Sequence, residues 1–164
     1  MEPAVMAWTT NAILTKVRGD GDYMQFEKLR KEVYQNLSAV STAYVAPDDS
    51  HLGLGMTDAK YFVRTGVHYV VPINPGIYNV TIRATVSNVT RSWREAEHNE
   101  AQRDFRTNKA IESIIKNQLN QAIPPSLIIE IEDEIIGLNK INIIDILDHV
   151  QQRRGKKRQS NWQK

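Results

Sequence analysis

The last twelve residues carry the cluster whose chemistry most directly implies a partner. Arg153, Arg154, Lys156, Lys157, Arg158 and Lys164 supply six cations with no acid among them, and Trp162 adds an aromatic ring. Clustered cations neutralise phosphates and release counterions, and a nearby aromatic stacks on an unpaired base. Arg153, Arg154, Lys156, Lys157, Arg158 and Trp162 are therefore the candidate nucleic-acid-binding residues. The same composition also describes a solubilising tail, and a nuclear import signal looks alike. A short basic segment of this kind carries no sequence specificity.

Other reactive residue types do not assemble into a site. The four histidines, His51, His68, His98 and His149, lie far apart, and none stands at metal-ligand spacing from another. Glu95 and His98 satisfy a Glu-x-x-His spacing once, where a di-metal helix bundle needs it twice. A solvated helix face with charge pairs one turn apart accounts for Glu95, Glu97, His98 and Glu100. Asp145 and His149 read as a surface ion pair near a helix C-terminus. Gly53-Leu54-Gly55 lacks the third glycine of a dinucleotide fingerprint and the strand–helix unit around it. No nucleophile elbow or zincin motif is present. With no cysteine in the chain, disulfides, thiolate nucleophiles and thiolate zinc sites are excluded. The expectation is a protein that is not an enzyme, with no metal, no cofactor and no small-molecule substrate.

The 164 residues suit one domain with tails. The formal net charge of +2 conceals an asymmetry, because removing the six terminal cations leaves 15 basic against 19 acidic residues, a body near −4. No apolar run reaches the ~18 residues of a membrane helix, and MEPAVMAWTT lacks the features of a signal peptide. The expected setting is cytoplasmic, without a membrane partner.

Periodicity predicts the elements that must position these residues. After an N-terminal extension over 1–21, which ends in a Gly19-Asp20-Gly21-Asp22 turn, Phe26, Leu29, Val33 and Leu37 define a helix from Tyr23 to about Val40. Pro47 to Gly76 follows, with four of the eight glycines and three of the six prolines. Its apolar content predicts an ordered, irregular insert. Within it Thr57 or Asp58 caps a short helix that Gly66 stops, and Val67 to Val71 form an extended arm before Pro72. A long helix runs from Ser87 or Asn88 to Ala122, with an apolar stripe through Val89, Trp93, Ala96, Ala101, Phe105, Ile111, Ile115, Leu119 and Ala122. Its polar middle, Glu97 to Glu100, allows a break or an exposed bridge. Pro124-Pro125 ends it and opens another helix that carries Leu127, Ile128, Ile131, Ile135 and Ile136 to Gly137. Asn142 caps the last helix, whose core face is Ile143, Ile144, Ile146, Leu147 and Val150 and which Gly155 closes. The fold class is all-α, a bundle of four to five helices with one irregular Gly/Pro-rich insert. The helical domain spans 22–154 and the basic tail 155–164.

Five strings recur together in an order that resembles a known family. They are FEKLRKEVYQNLSAV (Phe26 to Val40), HLGLGMTDAKYFVRTG (His51 to Gly66), VVPINPGIYN (Val70 to Asn79), REAEHNE (Arg94 to Glu100) and IEDEIIGLNKINIIDILDHV (Ile131 to Val150). Their order resembles the Gag-like N-terminal polyprotein region of copia-type LTR retrotransposons, over roughly Tyr23 to Arg154. The resemblance implies a helical capsid-like protein, not an enzyme, that self-associates into homo-oligomers or virus-like particles around element RNA, with non-specific RNA contact. The chain departs from that pattern in having no Cys-Cys-His-Cys zinc knuckle. It also has Gln151-Gln152-Arg153-Arg154 where the family's last helix continues into a tyrosine–glycine turn. Either the copy is truncated or degenerate, or the basic tail replaces the knuckle. A helical adaptor that binds a partner protein through the 47–76 insert, with Tyr61, Phe62 and Tyr69 as exposed anchors, is the alternative.

Overall fold

The computed structural model describes residues 14–19, 21–40, 51–78 and 87–160, with the backbone alone over 154–160. Trp162 lies outside the described residues. Among the described residues, five α-helices and a one-turn 3₁₀ helix at Leu52–Leu54 make up the regular structure: α1 (Tyr23–Ser38), α2 (Asp58–Thr65), α3 (Asn88–Ala122), α4 (Pro125–Ile128) and α5 (Ile143–Ser160). Among the described residues there is no strand, only an isolated antiparallel bridge between Asp133 and Gly137. The all-α expectation holds.

Local chemistry explains most of the boundaries. Asp22 accepts from the Gln25 backbone N–H at 2.8 Å and Thr57 from that of Lys60 at 3.4 Å. Ser87 accepts from Thr90 N–H at 3.3 Å and Asn142 from Asp145 N–H at 2.7 Å, each supplying an oxygen for an orphan donor of the first turn. Gly66, at φ +78°, closes α2 in the left-handed conformation that glycine adopts without strain. The polar middle of α3 is continuous helix, so the whole element is about 52 Å long.

The core forms where Phe26, Leu29, Val33 and Leu37 of α1 meet Ile111, Ile115 and Leu119 of α3 and Ile143, Ile146, Leu147 and Val150 of α5. Leu14 and Val17 join it from the N-terminal extension, and the Val17 N–H bonds the Ala122 carbonyl at 2.8 Å. Thr15 secures the same segment by donating its N–H and Oγ1–H to the Glu32 carboxylate at 2.7 and 2.6 Å.

Three expectations need correction. The helix expected from Pro125 to Gly137 ends at Ile128. Asp133 takes the N–H groups of Ile135 and Ile136 on its own side chain, competing with helical bonding, and Gly137 turns the chain at φ +60°. Ile135, expected on the apolar face, is 92% exposed. At the other end, α5 passes through Gly155 and reaches Ser160. A glycine inside a helix weakens it by only about 1 kcal/mol, which the surrounding lysine, arginine and glutamine residues can sustain. Finally, the stripe of α3 is core only in its C-terminal half. Val89 and Trp93 are 68% and 76% exposed, because the helix overhangs the body there.

The insert arm runs back along that overhang. The Asn108 amide donates to the Tyr69 hydroxyl at 3.0 Å, the Gln102 amide to the Gly76 carbonyl at 3.2 Å, and the Tyr78 ring lies 5.1 Å from that of His98. Tyr69, Gly76 and Tyr78 thus meet positions 108, 102 and 98 in turn, antiparallel to α3. Positions 98 and 102 fall about half a turn from Trp93 at ~100° per residue, so the arm leaves the Trp93 face uncovered.

Candidate nucleic-acid interface

The basic segment is carried by α5, and α1 holds α5 in place. The two helices pack antiparallel, since Arg30 reaches Asp148 at 2.9 Å and Gln151 at 2.6 Å while Glu27 accepts from the Gln151 amide at 2.6 Å. Burial opposes the charge of Arg30, yet its bonds to Tyr34 and Asp148 outweigh that and hold its proton more firmly than usual. The contact aims the C-terminal turns of α5 past the N-terminus of α1.

Arg153 is committed to the body. Its guanidinium donates to the Ser126 carbonyl at 2.7 Å and meets the Glu130 carboxylate at 3.0 Å. His149, one turn earlier, bonds the Leu127 carbonyl through Nε2 at 3.1 Å and lies 3.9 Å from Glu130. The ion pair expected between His149 and Asp145 gives way to this cluster on the α4 side. Arg154, Lys156, Lys157 and Arg158 follow on helical backbone, so these four cations belong to a helix and not to an extended tail.

The remaining candidates are dispersed. Glu95 is exposed, while His98 is half-buried against Tyr78. Among the described residues no group of three or more acids and histidines could hold a metal. Gly53 and Gly55 serve close packing: a Cβ on Gly53 would overlap the Cγ and Cδ atoms of the Tyr69 ring, and one on Gly55 would lie 2.6 Å from Leu37 Cδ1. The expectation of three exposed aromatic anchors needs correction: Tyr61 is fully buried core, Tyr69 is half-buried against it at 5.2 Å, and Phe62 alone is exposed, at 43%.

No family model, curated protein or solved structure matches the chain.

Two histidines stand out beyond the sequence reading. His51, at the entry to the insert, is wholly buried, and desolvation pushes it down to about 4. His68 bonds Asp58 at 2.7 Å and stacks on Phe62 at 4.6 Å. The bond from His68, with a second from the Tyr69 N–H, holds the Asp58 carboxyl below its ordinary range. This clasp joins the arm to the first turn of α2. Its only local signal was an acid opening a helix and a histidine just past the glycine that ends it.

Proposed function

We propose that this chain is a Gag-like structural domain of the copia retrotransposon type, self-associating, with non-specific RNA contact through the basic end of α5. The ordered strings that resemble that family motivate the reading. The observation that carries it is the pair of apolar side chains left exposed on α3, Val89 and Trp93 at 68% and 76%, with a separate exposed pair on the arm, Ile73 and Ile77 at 84% and 87%. Apolar side chains grouped this way on an otherwise polar helix mark interaction surfaces. In this reading one chain is a building unit, and the cations of α5 hold RNA beside it.

Sedimentation across a concentration series, with and without RNA, tests the reading. It expects oligomers that grow with concentration, and RNA affinity that falls steeply with salt. A chain that stays monomeric at high concentration in both conditions refutes the capsid assignment.

A second reading, a helical adaptor acting through the insert, is favoured by the exposure of Val63, Val70 and Val71 at 86%, 63% and 51%. An adaptor remains monomeric in the same sedimentation series.

A further inference from the structure

The arm is buried with a period of three. Between Val67 and Tyr78 the half-buried residues are Tyr69, Pro72, Pro75 and Tyr78, and every other residue is exposed. That is the period of a polyproline II helix, which turns once in three residues with a rise of ~3.1 Å each. The sequence favours it locally, because Pro72 and Pro75 fix their own φ and drive Val71 and Asn74 before them to extended backbone. Neither helix nor strand covers residues 68–76. One edge of this strap lies on α3, where Tyr69 and Gly76 accept from Asn108 and Gln102. Of the two outward edges, Val70 with Ile73 is wholly apolar, whereas Asn74 separates Val71 from Ile77 on the other.

A hollow opens on the far side of α3. Among the described residues it is lined by Ser92, Trp93, Ala96, Glu97 and Glu100, and its volume of about 670 Å³ is that of a binding cleft. Positions 98 and 102, which meet the arm, stand about 140° and 180° around the helix from Trp93. Strap and hollow therefore face opposite ways. They also match in length, since the hollow runs ~10 Å along α3 from Trp93 to Glu100 and one turn of strap, Val70 to Ile73, covers ~9 Å.

Charge divides in the same way. Exposed Glu97 and Glu100 make the hollow acidic. Beside the start of the strap, α2 exposes Lys60 and Arg64, and its one acid, Asp58, is held by His68 and the Tyr69 N–H at 2.7 and 3.0 Å. Aromatic-lined grooves recognise polyproline II segments, whose preformed backbone loses little entropy on docking. One chain thus carries both halves of a contact that it cannot make with itself.

We propose that the Val70–Ile73 edge of one chain docks in the Trp93 hollow of a second copy, its apolar side chains packing on the indole. The proposal rests on the self-association inferred above and specifies its mode. With the two surfaces on opposite sides of α3, docking one strap turns the second chain's own strap outward, free for a third chain's hollow. The contact is head-to-tail, so chains add into rings or open assemblies instead of closing as two-fold dimers.

Sedimentation velocity of the full-length chain tests the docking. The parent is expected to form species larger than a dimer. Trp93→Ser, which lacks the hollow's anchor, and V70D/I73D, which lacks the strap's edge, each weaken assembly by about 30-fold or more and sediment as monomers where the parent assembles. Mixed one to one, the two variants form a heterodimer that grows no further, because the pair holds a single intact strap and a single intact hollow. All three positions are exposed, so urea midpoints stay near that of the parent, and Ile73→Asp alone serves as the milder strap variant. If the mixture stays monomeric, if either variant assembles like the parent, or if the parent stops at a dimer, this inference fails while self-association stands. If the parent is a monomer at every concentration, the self-association reading fails and takes the docking with it.

Discussion

Gly53 lies so close to the ring of Tyr69 that a Cβ at this position would overlap the ring's Cγ and Cδ atoms. Tyr69 in turn meets Tyr61 edge-on at 5.2 Å and accepts from Asn108 at 3.0 Å. One glycine thus lets the 3₁₀ turn, α2, the arm and α3 converge on a single tyrosine. Gly53→Ala must displace Tyr69, and overpacking of this kind destabilises by about 1–3 kcal/mol. The urea midpoint is expected to fall accordingly. Gly19→Ala, where a Cβ meets nothing but φ is +60°, separates backbone strain from crowding. Equal losses in the two variants would contradict the packing role of Gly53.

Burial holds the folded-state pKa of His51 near 4, against 6.5 for the free side chain. The unfolded chain therefore binds more protons between these values, and stability falls as pH drops from about 6.5 to about 4. A shift of this size corresponds to stability on the order of 3 kcal/mol lost across the window. Urea midpoints measured from pH 7 to 4 are expected to show this decline, and His51→Gln, which cannot titrate, to flatten it. An undiminished slope in that variant would place the pH dependence elsewhere.

Much of the fold was legible because its signals are local. Asp22, Thr57 and Ser87 cap their helices within three residues, and Gly66 ends α2 where a left-handed residue is needed. The misses have distant causes. Periodicity indicates which side of a helix is apolar but not whether another element arrives there, so Trp93 was expected in the core beside Ile115. Leu14 and Val17 have no periodic context, yet both are core, and the Val17 N–H is tied to the Ala122 carbonyl over 100 residues away. At the candidate site the cations themselves were legible. The engagement of Arg153 with Ser126 and Glu130 was not, since it depends on the chain turning at Pro124-Pro125 and again at Gly137.

Arg30 anchors α5 on α1 through a side chain only 13% exposed. Arg30→Ala removes two charge-assisted bonds and leaves Gln151 without one of its partners, a loss of about 1.5–3 kcal/mol. Lys28, whose side chain is 63% exposed and 3.9 Å from Glu32, offers the contrast. Lys28→Ala is expected to change stability by no more than about 0.5 kcal/mol, since exposed pairs contribute little. Denaturant midpoints compare the two directly, and a Lys28→Ala loss matching that of Arg30→Ala would deny the polar bridge its role.

Trp93 separates folding from assembly. Its side chain is 76% exposed on a helix overhang, so Trp93→Ser leaves the core intact and should change stability by about 0.5 kcal/mol or less. If the α3 overhang is the self-association surface, the same change removes its largest anchor. Truncating a hot-spot tryptophan weakens association by about 2 kcal/mol or more, roughly 30-fold. Ile115→Ala, at a fully buried position, should do the opposite, destabilising the fold by about 2–5 kcal/mol. Sedimentation and urea denaturation of both variants together test the division of α3 into a core half and an assembly half. Unchanged oligomerisation in Trp93→Ser would move the association surface to the arm, where Ile73 and Ile77 are the next residues to substitute.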